Sequence, residues 1–356
     1  MSTTATDSKS LAFARAAYRD IPLYAPLRAP AALDLSDNTN LAGMPPPAEK
    51  VLREAGAQLF TRYPSLWAGG LKRALAAYAG VPEECIVTGC GSDDVLDSAV
   101  RAFAEPGDTL AYPEPTFPMV PLFAKMNGLL PAPVPLKADG DVDAERLLAA
   151  GARITYVCTP NNPTGALASR EALEQLLTRS RGVVLVDEAY AEYAGGASLT
   201  REAPARGNVL VVRTLSKAFG LAGLRIGYGV GAPALVQEVE KSRGPYKVSA
   251  LAEAMGTAAL TEGLPWVLAR VQEVVESRER LVGELRGLGL APLPSAANFL
   301  LFPVPEALAV AARLREAGVG VRAFPALPGI GEALRLSVGP WGYMETALEA
   351  LRKVLR

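Results

Sequence analysis

The chain has no histidine among its 356 residues. That absence excludes a Ser-His-Asp hydrolase, a cysteine nucleophile activated by histidine and every histidine-ligated metal site. Acid–base work near neutral pH falls to Lys, Asp, Glu, Tyr, Cys or a bound cofactor, and no metal site is expected. Cysteine is scarce as well. Cys85, Cys90 and Cys158 are odd in number and none sits at Cys-x-x-Cys spacing, so no disulfide framework is expected. Each reads as a buried strand thiol. No stretch approaches the run of about 20 apolar residues that crosses a bilayer. The first ten residues, MSTTATDSKS, lack the basic start and apolar core of a signal peptide, and a cytoplasmic protein is expected. Neither sign of charge prevails: 36 Lys and Arg stand against 37 Asp and Glu. That balance gives no electrostatic reason to expect nucleic acid or a membrane as partner.

What the chain does have is apolar residues, 50% of the total, and length enough for two lobes. Short β-rich runs alternate with helical stretches over residues 70–230. Strands are expected at 85–89, 109–112, 129–136, 154–159, 183–187, 209–214 and 225–230, with helices at 93–104 and 170–178. Ser169 reads as the N-cap of the second helix. The runs VVLV (183–186) and VLVV (209–212) are continuously apolar. Strands of that kind are buried on both faces, as in a mostly parallel sheet with helices on either side. The fold class is therefore α/β, with seven strands in the main sheet and a smaller α+β unit following. A long amphipathic helix over 265–288 reads as a strut between the lobes. After it come strands at 298–302, around 319–323 and at 334–338, a helix at 305–317, and a closing helix from Tyr343. The expected division is an N-terminal segment, 1–40, that joins the small lobe, a large domain over 41–262 and a small domain over 263–356.

Open α/β sheets bind ligands outside the carboxyl ends of their strands. Five polar clusters fall there in succession: GCGSDD (89–94), PEPTF (113–117), TPNNPTG (159–165), DEAY (187–190) and TLSKAFGLAGLRIG (214–227). Gly89, Gly91, Ser92 and Asp93 lead from a strand into a helix, where free N–H groups and the helix dipole suit an anion. Taken alone this is an ordinary glycine turn; it is neither a Walker loop nor a complete dinucleotide fingerprint. Lys217 follows a buried strand, with Thr214, Ser216 and Arg225 close by in sequence. Low dielectric and cationic neighbours reduce a lysine's proton affinity and favour the free amine that forms a Schiff base. Arg225 suits a phosphate dianion, and Thr214 and Ser216 add hydroxyl donors. Asp187 ends an apolar strand, where a buried carboxylate needs a partner such as a protonated pyridine nitrogen. Tyr190 and Asn162 are placed to face a cofactor phenolate oxygen, and Phe117 to stack on its ring. These features converge on pyridoxal 5′-phosphate (PLP).

With these residues in place, the chain resembles the fold-type I PLP enzymes of the class I/II aminotransferases, and among them the histidinol-phosphate aminotransferase family. The similarity runs from about Leu33 to the C-terminus. It is carried by RYPS (62–65), GCGSDDVLD (89–97), PNNPTG (160–165), VDEAY (186–190), RTLSKAFGLAGLRIGY (213–228), SAANFLLF (295–302) and LRLSVG (334–339). The resemblance implies the same roles for Lys217, Asp187, Asn162, Tyr190, Phe117 and the phosphate-binding set. It further implies that Tyr63 reaches the cofactor phosphate of a neighbouring subunit in an obligate homodimer. Arg335, Arg322, Asn40 and Tyr24 would meet the substrate. Two departures fall near the expected substrate region. The family's L-N-x-N-E-N-P-x-G reads L-S-D-N-T-N-L-A-G at 35–43, and Lys247 stands after Pro245-Tyr246 where many members have Asn.

The expected activity is transfer of an amino group from a phosphorylated or carboxylated amine to 2-oxoglutarate by a ping-pong cycle, which needs no histidine. An aromatic amino acid is the alternative donor. A decarboxylase resembling threonine-phosphate decarboxylase is an alternative on the same scaffold. A PLP-sensing regulator would need a basic DNA-binding module, for which no residues are left over.

Overall fold

The computed structural model describes residues 13, 15–19, 21–23, 30–196 and 198–355. The short strand β1 (Leu33–Asp34) precedes the main sheet. That sheet comprises β2 (Ile86–Cys90), β3 (Thr109–Glu114), β4 (Leu130–Pro135), β5 (Ile154–Cys158), β6 (Val183–Asp187), β7 (Val209–Thr214) and β8 (Ile226–Gly231). Its order is β2-β8-β7-β6-β5-β3-β4, and β8 alone runs against its neighbours. The α/β class and the seven mostly parallel strands match what the apolar runs imply. Alternate residues of β6 and β7 enter opposite layers. Val184, Val186, Val209 and Val211 pack into one core, and Leu185, Leu210 and Val212 into the other. Burial on both faces is why these strands carry no polar alternation.

In the main sheet, element ends differ from the sequence expectation by a residue or two, and two differences have a clear cause. β8 begins at Ile226 because Arg225 lies in the left-handed region, φ 53°, which cannot continue a strand ladder. Cys90 is exposed, whereas Cys85 and Cys158 are buried. It is the last residue of an edge strand, just before the chain turns into the helix Ser92–Phe103, so its side chain passes beyond the packed layer.

The helix Leu264–Gly287 leads to the smaller unit. There β9 (Phe299–Pro303), β11 (Arg322–Leu327) and β12 (Gly331–Ser337) form an antiparallel sheet ordered β11-β12-β9. The single strand expected around 319–323 is split at Val321. Residues Val319–Gly320, β10, pair in parallel with β1, and from Arg322 the chain crosses to a different sheet. The N-terminal segment is thus stitched to the small unit. Leu35 and Ser337 extend the stitching, with the Ser337 N–H donating to the Leu35 carbonyl.

Candidate active site

A cavity of about 780 Å³ opens at the carboxyl ends of β5, β6 and β7 and is closed from above by the small unit and by residues 36–39. Each of the five polar clusters contributes to its wall, among them Ser92, Phe117, Asn162, Asp187 and Lys217. Parallel strands bring their ends to one edge of the sheet, so residues more than 120 positions apart share a single site.

One end of the cavity suits an anion. The helix Ser92–Phe103 starts at Gly91 with no side chain capping its first turn. Gly91 has φ +82°, and a Cβ there would come within 2.3 Å of an Arg225 nitrogen. A Cβ on Gly227 would meet the Ser92 backbone nitrogen at 2.2 Å. Both glycines are needed for this close approach. The Thr214 hydroxyl donates to Ser216 Oγ over 2.9 Å, and an Arg225 nitrogen lies 3.5 Å from the same oxygen. Asp93 presents its carboxylate to Arg225 at 3.3 Å, so its backbone rather than its side chain is what it can offer an anion.

At the floor, Asp187 is 4% exposed. The Tyr156 hydroxyl donates to its Oδ2 over 2.8 Å and the Ala189 N–H to its Oδ1 over 3.0 Å. Both donors are neutral, and burial pushes this carboxyl up to about 6. Lys217 projects from the loop after β7 and donates to the Asp37 carbonyl over 3.0 Å. Burial, then the positive charge of Arg335, push its amine down to about 8. Tyr190 lies below it, with the Lys217 ammonium nitrogen 5.8 Å from the ring centre. Burial keeps the Tyr190 phenol protonated well beyond neutral pH. The Asn38 amide donates to the Tyr190 oxygen over 3.2 Å.

The two arginines expected to meet the substrate also line the cavity. Arg335 donates to Asn162 Oδ1 over 2.5 Å and to the Ser36 carbonyl over 2.8 Å, which ties the small unit to the large one. Arg322 is paired with Arg335 across the β11–β12 ladder. Phe324 and Leu327 add apolar wall beside them.

Two expected residues, Asn40 and Tyr63, do not line this chain's cavity. Asn40 does not line the cavity: its amide donates to the Ala218 carbonyl over 2.8 Å, which holds the lysine-bearing loop instead. Asn38 lines the cavity instead: it stands in a left-handed turn, φ 59°, and its amide donates to Tyr190. Tyr63 is 84% exposed and stacks on Tyr246, ring centres 5.0 Å apart, away from this chain's own cavity. Tyr24 lies outside the described residues. Lys247 is paired with Asp94 at 2.7 Å. Besides Asn38, sequence reasoning missed Tyr156, Ser36 and Phe324. The altered 35–43 signature was the available sign for Asn38 and Ser36; a tyrosine within an apolar strand gives no sign for Tyr156.

A parallel sheet with a buried carboxylate, a lysine of lowered proton affinity and an arginine-lined anion end defines a PLP-dependent transferase, and the wider comparisons agree. The family model for aminotransferase class I and II matches residues 30–353, and the chain belongs to that family. It is an aminotransferase whose cofactor is PLP. More particularly, it is similar to histidinol-phosphate aminotransferases. That of Thermoanaerobacter pseudethanolicus is 35% identical over 298 residues, covering 82% of this chain and 84% of the relative. That of Desulfitobacterium hafniense is 34% identical over 361 residues, covering 96% and 97%. Among solved structures, the histidinol-phosphate aminotransferase from Sinorhizobium meliloti in complex with pyridoxal-5′-phosphate is similar at TM-score 0.84 and 28% identity, covering 92% of each chain. Aspartate aminotransferase from Thermus thermophilus with maleate gives 0.78 and 26%, covering 91% of this chain and 92% of that one.

Proposed function

We propose that this aminotransferase takes the amino group from a phosphorylated or carboxylated amine resembling histidinol phosphate and passes it to 2-oxoglutarate in ping-pong order, as a cytoplasmic homodimer. The observation that carries the donor class is the opposed pair Arg322 and Arg335 on the cavity wall, two cations suited to a dianion or two anionic groups. No helix among the described residues is long and apolar enough to cross a membrane.

The residues fit PLP. A buried carboxylate with only neutral donors, Asp187, is what a pyridine N–H⁺ would satisfy. The uncapped helix start with Arg225, Thr214 and Ser216 is what its phosphate would satisfy. Asn162 and Tyr190 would hold its phenolate oxygen, and Phe117 would lie against its ring. When bound, PLP supplies an electron sink for the pair left on the donor's Cα. Lys217 would hold the cofactor through its Nζ, and the same amine, when free, would carry the proton at the donor's Cα. Arg335 and Arg322 orient the donor's anionic end, and residues 36–39 exclude water from above.

Tyr63, Phe60 and Trp67 are exposed on this chain, as residues that a second copy covers would be, and Tyr63 would then reach the partner's cofactor phosphate. Phe324, with the Arg335 guanidinium 5.8 Å from its ring centre, supports an aromatic amino acid as the second donor reading. An amino-donor panel decides between them: the proposed donor should discharge the lysine-bound cofactor absorbance, with keto product and no carbon dioxide. Release of carbon dioxide would instead indicate the decarboxylase.

A further inference from the structure

Tyr156 sits on β5 at a position that reads as core. It is 1% exposed, and its ring belongs to the layer formed by Leu96, Leu110, Phe123 and Leu185. A phenol in such a layer needs a partner for its hydroxyl. The strand register supplies one. Tyr156 lies beside Leu185 and Cys158 beside Asp187 on the parallel pair β5–β6. Tyr156 and Asp187 therefore face the same side, two residues apart along the ladder, a diagonal that a long aromatic side chain spans. Its hydroxyl donates to Asp187 Oδ2 over 2.8 Å, while the Ala189 N–H takes Oδ1.

We propose that Tyr156 is a positioning residue for the cofactor's ring nitrogen: its hydroxyl fixes the plane of the Asp187 carboxylate and keeps that group charged. This rests on the PLP reading of the site. Two effects oppose each other at Asp187. Burial favours the neutral carboxyl, and the Tyr156 hydrogen bond is foremost among the contacts that favour the anion. Without the hydroxyl, burial wins further. Asp187 then holds a proton more readily, and the ring nitrogen loses part of the counter-charge that keeps it protonated. One donor on each oxygen also leaves the carboxylate no freedom to rotate away from the ring. Tyr156 touches neither the cofactor nor the substrate; it acts through Asp187.

The test uses the full-length enzyme loaded with PLP labelled with ¹⁵N in its ring. In wild type the nitrogen signal at pH 7.5 should be that of a protonated pyridine. In Tyr156→Phe it should move toward the neutral position, with kcat reduced about 10- to 100-fold, the range of a lost hydrogen bond to a charged group. The donor KM should stay within about twofold. A purely structural role would lower thermal stability and leave the nitrogen signal in place, and that result overturns the proposal. Should the Phe variant fold poorly, 3-fluorotyrosine at position 156 keeps the shape and strengthens the donor. In the cofactor-free protein it should then move the Asp187 titration, followed by carboxyl ¹³C NMR, to lower pH than in wild type; an unchanged titration overturns the proposal. Failure of the PLP reading itself is separate, since wild type would then show no protonated ring signal at all.

Discussion

Arg322 and Arg335 stand directly opposite one another on β11 and β12, and both reach the cavity. Like charges in opposed positions of a strand pair repel. Arg335 meets this partly by donating to Asn162 and to the Ser36 carbonyl. An anion bound between the two would lower the repulsion further. The same guanidinium is close enough to Lys217 to lower that amine's proton affinity. The donor recognition proposed for Arg335 and the proton affinity of Lys217 are thus coupled through one side chain.

The attachment can be tested at Lys217. Borohydride reduction of the loaded enzyme should fix the cofactor to this residue, as peptide mapping would show, and Lys217→Ala should abolish covalent capture. Only the uncharged amine attacks. Capture by the cofactor-free protein should therefore quicken with rising pH and level off above about 8, the value to which burial and Arg335 bring this lysine. Arg335→Met removes a positive neighbour and should move that inflection to higher pH. Labelling of a different lysine would overturn the assignment.

Asp187 yields a prediction of opposite sign in the empty and loaded protein. Its folded value of about 6 lies above the usual carboxylate range, so its contribution to stability is full below about pH 4 and lost as pH rises through 6. Above that, the buried charge costs the cofactor-free protein about 3 kcal/mol. Asp187→Asn should therefore melt higher than wild type at pH 8 when cofactor-free, with the gap closing by pH 4. The loaded variant should retain some cofactor yet lose turnover by several orders of magnitude, because the ring is no longer held protonated. Near-normal turnover would remove the pyridine-partner role.

The cofactor side of this site was legible because parallel-sheet topology sends every strand end to one edge. VVLV and VLVV imply that sheet, and Asp187, Thr214 and Lys217 follow from where those runs stop. What was not legible depends on backbone direction or on distant pairing. Asn38 and Asn40 are two residues apart, and only the left-handed turn at Asn38 decides which of them enters. The opposition of Arg322 and Arg335 needs the β11–β12 register, which no local pattern carries. Tyr156 looks like any core aromatic until Asp187 is placed beside it. Cys90 seemed buried because its strand is apolar, yet it ends at an edge.

Assembly is tested by complementation. Tyr63 is exposed on this chain and is proposed to serve the partner's site. Tyr63→Phe keeps its own Lys217, and Lys217→Ala keeps its own Tyr63. Hybrid dimers would then hold one site with both groups intact. Coexpression of the two variants should restore about a quarter of wild-type activity, from half the dimers with one good site each. Sedimentation should show a dimer throughout. No recovery above the separate variants, or an active monomer, would remove Tyr63 from the site.

The donor is the last question, and charge decides it. Histidinol phosphate brings a phosphate dianion, an aromatic amino acid a single carboxylate. Removing Arg335 should raise the KM for either donor, since both place an anion between the strands. Arg335→Lys should recover little, because a point charge replaces neither the fork on Asn162 and Ser36 nor its two-handed grip on an anion. Arg322 separates the cases. Its guanidinium adds a second cation that a dianion uses fully and a monoanion shares. Arg322→Ala should therefore raise the KM for histidinol phosphate about 10- to 100-fold, the range of a lost charged hydrogen bond, and that for phenylalanine by a few-fold. Steady-state kinetics of both donors on wild type and Arg322→Ala are the measurement. A wild type that prefers phenylalanine, with the preference unmoved in Arg322→Ala, would replace the phosphorylated donor by the aromatic one.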